Sequence, residues 1–505
     1  MKIRMSLLSH GHHYAHMLLT ALTLALASVT QPARAAPGDL DTGGFGLGTG
    51  KVITPVTGSN EYARALALQP DGKILVAGRC GVDFCLVRYL PSGALDVSFN
   101  TTGTAITPIG SGTTFAYAYA VALQPDGNIV TAGACSNGSN DDFCLVRHLP
   151  SGALDTSFNS TGKVITPIGG GNDTAYAITL QPDGKLVAVG ACSNGSNNDF
   201  CLARYLPSGA LDTSFNATGK VMTPIAAGDD AASAVALQPD GAIVVAGYCS
   251  NGSNYDFCLA RYLPSGALDT TFNATGKVTT PIGSSEDVAH AIALQPDGKI
   301  VVAGNCLVGS NYDFCIARYL PGGAPDLSFN ASGKAIAAIG SNRDLAFAIT
   351  LQPDGKIVVA GGCSNGSNFD FCLARFLPIG SPDLSFHSTG IAITPIGTGD
   401  AIALAVALQP DGKIVVAGNC FYGSDDFCLA RYEGGPFDAR NCSLDIDGDN
   451  QVLATTDALI HTRIALGMTG PAVISGITFA SHAARQTWPD IRNYLVTQCG
   501  MSLAQ

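Results

Sequence analysis

Close to its C-terminal end the chain reads Cys442-Ser443-Leu444-Asp445-Ile446-Asp447-Gly448-Asp449-Asn450-Gln451. Asp445, Asp447 and Asp449 alternate as the first three oxygen ligands of an EF-hand-type loop, and Gln451 is placed to offer its backbone carbonyl. Hard oxygen donors in that register suit calcium, which is the expected cofactor. The sixth loop position is Asn450 where Gly is usual, although Asn tolerates the left-handed conformation. The twelfth is Thr456, and the acid comes one residue late at Asp457. The other reading is an Asp-rich turn that leads into a helix, with Asp457 as its N-cap.

Upstream, four charged positions recur along the chain. They are the Asp of a Gln-Pro-Asp-Gly turn, an Asp before Phe-Cys (Asp142, Asp199, Asp256 and their equivalents), an Arg three residues after that Cys (Arg147, Arg204, Arg261), and the Asp of a Leu-Asp or Pro-Asp pair. Residues repeated alike serve repeated architecture first, so turns and blade-to-blade ion pairs are expected of them, ahead of a ring of ligands around a channel. Catalysis needs an acid, a base and a nucleophile in different roles. Such a break in symmetry is not evident, the histidines share no motif, and His148 and His387 read as substitutions at exposed sites. No residue is assigned a catalytic role.

The elements that must position these residues follow from a period. Gln-Pro-Asp-Gly begins at Gln69, Gln124, Gln181, Gln238, Gln295, Gln352 and Gln409, with spacings of 55 once and 57 five times. One copy, starting at Leu211, contains four strand-like runs, 220–225, 233–237, 242–247 and 257–263, each bounded by Gly, Pro, Asn or Asp. Pro239-Asp240-Gly241 supplies a tight turn. Cys249 and Cys258 flank an Asn-Gly hairpin and should face each other across it, as should the pair in every other copy. The run Ile300-Val301-Val302-Ala303 is apolar on both faces, as a strand packed between two neighbouring sheets must be. Seven units of four short strands predict an all-β, seven-bladed β-propeller over residues 40–432, followed by a linker at 433–441 and a small, mostly α calcium-loop module at 442–505. Because Leu40–Val56 already holds a Leu-Asp motif and a strand, closure of the ring by strand exchange is not forced.

The combination of Leu-Asp-x-Ser-Phe, Leu-Gln-Pro-Asp-Gly-Lys-Ile-Val-Val-Ala-Gly and Asp-Phe-Cys-Leu-Ala-Arg-Tyr-Leu-Pro-Ser-Gly resembles the delta-60 repeat of exported bacterial proteins. That resemblance implies a propeller and no settled activity, and the cysteine pair in each unit departs from the usual pattern. The tail, with its calcium-type loop followed by Leu459, Ile460 and Ile464 at helical spacing, is similar to half of a dockerin module.

Lys2 and Arg4, an apolar run from Met17 to Val29 and Ala33-Arg34-Ala35 read as a signal peptide over residues 1–35. Export fits sixteen cysteines, fourteen of them in close pairs, and places the product in the periplasm, at the cell surface or outside. Without that segment the charge balance is 24 basic against 39 acidic residues. An acidic surface disfavours nucleic acid, and no later run is long and apolar enough to be a transmembrane segment. The expected function is non-enzymatic binding or scaffolding, with a protein or glycan as partner at one propeller face and cell-surface association as a further expectation. The alternative is a carbohydrate-active or lyase-type propeller enzyme.

Overall fold

The computed structural model describes residues 35–111, 115–340, 342–435, 460, 473–475, 477 and 487–497. Residues 1–34 of the expected signal peptide, residues 436–441 of the expected linker, and the expected calcium ligands Asp445, Asp447, Asp449, Gln451 and Asp457 lie outside the described residues. Of the C-terminal module, the helix Trp488–Thr497 is described, with Trp488 and Ile491 buried.

Residues 37–435 contain seven antiparallel sheets of four strands each. The first consists of Glu61–Leu68, Ile74–Cys80, Asp83–Tyr89 and Thr104–Thr107, in that order from the inside outward. The second and third strands are mostly apolar and buried along nearly their whole length, because each sheet packs both faces against neighbours. Seven hydrophobic clusters result, each built from two adjacent blades. The outermost strands are only four residues long and most run into a Pro, which keeps these free edges short.

The sequence unit and the blade are out of phase. Lys220–Thr223, which opens the unit starting at Leu211, pairs with Asn198–Tyr205 and is therefore the outermost strand of the preceding blade. One consequence appears at the seam. The last three strands of the chain, Ala401–Leu408, Ile414–Phe421 and Asp425–Tyr432, take their outermost neighbour from the N-terminal segment Lys51–Thr54, with Lys51 opposite Ala430 and Thr54 opposite Phe427. Strand exchange closes the ring after all, because the unit at Leu40 begins with an outer strand that has no blade before it.

All seven cysteine pairs are bonded, with Cα–Cα separations of 5.4 Å for Cys80–Cys85 and 5.8 Å for Cys249–Cys258. They run diagonally across the hairpin. Cys249 lies opposite Asp256, and Cys258 lies opposite Gly247. Both sulfurs sit within an interblade cluster beside Phe200 and Ile243, so the bridges are part of the core and not only clasps on a loop.

On the face of the Gln-Pro-Asp-Gly turns, the repeated Arg and Asp meet. Arg204 donates from Nε to Asp212 Oδ2 at 2.8 Å and from one terminal nitrogen to the carbonyl of Pro264 in the next blade at 2.6 Å, and its guanidinium lies 4.5 Å from the centre of the Phe215 ring. The ion pair is thus internal to one connection, and the bond that crosses between blades is to a carbonyl. The same arrangement recurs at Arg88, Arg147, Arg261, Arg318 and Arg375. At the seam Arg431 pairs with Asp41 at 2.7 Å, so the seventh copy joins opposite ends of the propeller. His387 holds a left-handed φ of 46° where the other units place Asn, and its backbone N–H donates to Pro37 at the same seam. His148 is not at an exposed site. It is 2% exposed, replaces the buried Tyr of other blades, and bonds Thr107 through Nε2 at 2.8 Å, as Tyr205 bonds Thr166.

Two predictions follow from these buried charges. Arg204→Met leaves Asp212 buried without its cation and is expected to cost about 3–5 kcal/mol in denaturant unfolding, with much of the loss restored in Arg204→Met, Asp212→Asn. The second concerns pH. Asp287, which begins an inner strand, is fully buried. Desolvation raises its pKa, against the backbone N–H groups of Ile282 and Gly283, and Asp256 of the preceding blade raises it further. A raised folded pKa means that the associated stability is present below the unfolded pKa and lost as pH rises through the folded value. Asp287→Asn is therefore expected to stabilise the protein by about 1 kcal/mol at neutral pH and to lose that advantage as pH falls into the carboxylate range, measured as thermal midpoints across pH.

Candidate functional site: the central channel and its disulfide-bearing mouth

The inner strand of each blade faces a central channel, and each carries one irregularity at the same place. In the fifth blade Ala289 pairs with Gly304 and Ala291 with Ala303, leaving His290 between them without a partner. This is a β-bulge, which re-aims the extra residue. The bulged residue stands five positions before every Gln-Pro-Asp-Gly turn: Arg64, Tyr119, Tyr176, Ser233, His290, Phe347 and Leu404.

The repeated Gly of Val-Ala-Gly explains how the bulge is accommodated. A Cβ on Gly304 would come within 2.0 Å of the Val288 carbonyl oxygen, and one on Gly247 within 1.9 Å of that of Ala231. Glycine here provides space where the bulged strand crosses its neighbour, so a residue shared by all units fixes the backbone that presents a residue shared by few.

Most of the blade is nearly constant, but this column differs from blade to blade. Arg64, Tyr119, His290, Phe347 and Leu404 line a channel cavity of about 240 Å³ together with aliphatic residues that include Leu66, Val121, Ile178, Val235, Ile292, Ile349 and Val406. In the column, blades one to five carry polar residues and blades six and seven carry Phe347 and Leu404; Tyr176 and Ser233 are not among the residues that line the cavity. The expectation that near-identical units leave no asymmetric site therefore fails for this column. The signal was present in the sequence as the variable residue two places before the constant aliphatic, but the repeat draws attention to what its copies share.

The rings of the column touch. Tyr119 and Tyr176 meet edge to face with centroids 5.3 Å apart, and His290 and Phe347 lie 4.9 Å apart. Arg64 stands 5.7 Å from the Tyr119 ring. Burial pushes the Tyr119 phenol up to about 12, against the pull of Arg64. Asn305 accepts the Ala346 N–H through Oδ1 and so turns its amide nitrogen toward His290 Nε2, 3.1 Å away. Nε2 is then an acceptor, and burial lowers the pKa of His290 to about 4, which keeps the imidazole neutral.

Toward the face with the disulfide hairpins the variation continues. Arg79 lies 4.5 Å from the ring of Tyr62, 4.2 Å from Phe115 and 4.4 Å from Tyr117, and bonds the Tyr117 hydroxyl. Across the mouth, Tyr248 packs on Tyr255 at 4.9 Å, and Arg343 stands 4.9 Å from the Tyr312 ring. None of the recurrent charged residues lines this cavity. The Arg–Asp pairs belong to the opposite face, and Asp142, Asp199 and Asp256 are tied to hairpin amides, as Asp256 is to Asn251 at 2.9 Å. Among the described residues no group of three or more His, Cys, Asp or Glu is placed to hold a metal ion.

If the glycine supplies space for the bulge, Gly304→Ala should cost about 2–3 kcal/mol in thermal or denaturant unfolding although its φ is ordinary, whereas Ala303→Gly beside it should cost about 1 kcal/mol.

Seven segments, residues 69–99, 124–158, 181–215, 238–272, 295–329, 352–386 and 409–434, match the family model described as "Domain of unknown function (DUF5122) beta-propeller". Each match begins at the Gln of a Gln-Pro-Asp-Gly turn. No curated protein sequence matches the chain. Similar solved structures include virginiamycin B lyase from Staphylococcus aureus, 13% identical with a TM-score of 0.45 over 75% of this chain and 98% of that one. Sqt1 from Chaetomium thermophilum is 12% identical, with a TM-score of 0.36 over 75% and 97%. A polysaccharide lyase, an ulvanlyase, is 10% identical, with a TM-score of 0.42 over 74% and 95%. The chain is a seven-bladed repeat β-propeller whose seven repeats match the model of that family of unknown function.

Proposed function

We propose that the protein is an exported, non-enzymatic binding propeller that recognises a protein or glycan through the disulfide-bearing face, where the channel opens. One observation carries this reading: the copies agree nearly everywhere except at the column from Arg64 to Leu404 and the mouth above it, which is where a ligand would need seven different neighbours. Aromatic rings supply flat apolar contact area at low entropic cost, and Tyr and Arg are the residues that dominate binding energy at interfaces.

The C-terminal segment belongs to this reading as a calcium-stabilised, dockerin-like module, with Asp445, Asp447, Asp449, Gln451 and Asp457 as the proposed ligands. The seven disulfides agree with a product in an oxidising space outside the cytoplasm. No helix among the described residues is long and apolar enough to cross a membrane.

A second reading, a carbohydrate-active or lyase-type enzyme, is favoured by His290 and Tyr119 lining one cavity, groups able to move protons. A glycan and protein array probed with the purified protein, with and without a calcium chelator, separates the two. Retained ligands without turnover are expected, with retention falling at least tenfold in Tyr119→Ala and unchanged in Asp240→Ala on the opposite face. Cleavage of a retained glycan, abolished by His290→Ala, would establish the enzyme instead.

A further inference from the structure

Seven of the propeller's arginines, from Arg88 to Arg431, are neutralised by a carboxylate at about the same distance. Arg64 and Arg79 are not. Both occupy the first blade, both lie against the ring of Tyr62, and the Nε of each is buried without a hydrogen-bond partner among the described residues. Arg79 is 5% exposed and is held among three aromatic rings, its only described hydrogen bond going to the Tyr117 hydroxyl. The acid next to this cluster, Asp425, is engaged by the hydroxyl of Tyr62. In a chain whose formal charge is −12, two guanidinium groups in one blade without a carboxylate partner among the described residues form a local exception to the surrounding field.

Ring faces stabilise a cation only partly compared with a carboxylate. Arg64, which also lines the channel cavity, is therefore a cation available to an anion that none of the described residues supplies. The shape of the site limits that anion. The channel cavity is about 240 Å³, which admits one sugar ring or one chain end, and the net negative charge of the chain opposes an extended polyanion. Beside Arg64 in that cavity stands Tyr119, its ring held by stacking on Tyr117 at 5.6 Å and by the edge contact with Tyr176 at 5.3 Å.

We propose that the channel at blades one and two recognises a single carboxylate borne on a small ring or chain end, with Arg64 receiving the anion, Tyr119 holding its body, and the buried Arg79 adding positive field behind Tyr62. This rests on the assignment of the disulfide-bearing face as the binding face. A sugar acid and a peptide C-terminus share this chemistry, and the probes distinguish them.

Calorimetric titration of the purified protein would use glucuronate and N-acetylphenylalanine, with glucose and N-acetylphenylalanine amide as their uncharged counterparts. At least one carboxylate is expected to bind tenfold or more tightly than its counterpart, and the favoured pair names the source. The preference should weaken with added salt, disappear in Arg64→Gln, persist in part in Arg64→Lys, and be unaffected by Lys73→Gln, which removes a cation on the opposite face. Equal binding of charged and uncharged probes, no binding of either acid, or full retention in an Arg64→Gln protein of unchanged melting temperature would each overturn the proposal. If array ligands still depend on Tyr119 while no carboxylate preference exists, the anion assignment alone fails. If array ligands are indifferent to Tyr119, the assignment of the face fails with it.

Discussion

At each junction between blades one guanidinium binds an aspartate of its own connection, a carbonyl of the next blade and the face of a phenylalanine. A lysine could not replace it, because a single ammonium cannot direct donors along three fixed lines and also stack. The buried ion pair by itself is weak evidence for stability, since desolvation offsets much of its attraction. Its value here is geometric. The Arg–carbonyl bond sets the distance from one connection to the next, and Phe215 sits under Gly266 of the following blade, where a side chain would collide with the ring. Seven equal spacings of this kind are what allow seven sheets to close into a ring of fixed diameter. The channel, and every residue placed in it, depends on that closure.

The junction and the channel impose opposite demands on sequence, and the bulge separates them. Because the bulged residue makes no paired contact within its own sheet, its side chain can change from Arg64 to Leu404 without disturbing the interblade clusters. The neighbours that enforce the bulge, such as Ala289 and Gly304, cannot change in the same way. A highly uniform repeat can thus build a single asymmetric surface, with variation confined to the positions that architecture does not use.

Much of the propeller is legible in the sequence because its signals are local. The Pro-Asp-Gly turn, the Asn-Gly hairpin and the doubly apolar strand each declare themselves within a few residues, and their period counts the blades. What is not legible depends on contacts distant along the chain. Whether Lys220–Thr223 ends one blade or begins the next is decided by its pairing with Asn198–Tyr205 and by no property of the segment itself. His148 reads as a surface substitution until Thr107 of the previous blade is seen to receive it. The bulge interrupts the alternation of the inner strand by one residue, and periodicity averaged over eight residues does not reveal it. Of the site, the variable column is written in the sequence but its convergence on one cavity is not.

The seam has a consequence for the order in which the molecule can be assembled. Lys51 and Ala430, which face each other in the last sheet, are separated by almost the whole propeller, and joining such distant points costs about 5 kcal/mol in chain entropy before any contact is gained. The strand synthesised first must therefore wait for the blade synthesised last, and the intervening blades must already be stacked when the two ends meet. Until then the chain exposes one unpaired edge at each end, which a second copy could satisfy by exchanging its own N-terminal strand. The same adjacency places both ends of the propeller at one seam, so a permuted chain that joins them and opens elsewhere between blades would retain every sheet while removing the wait.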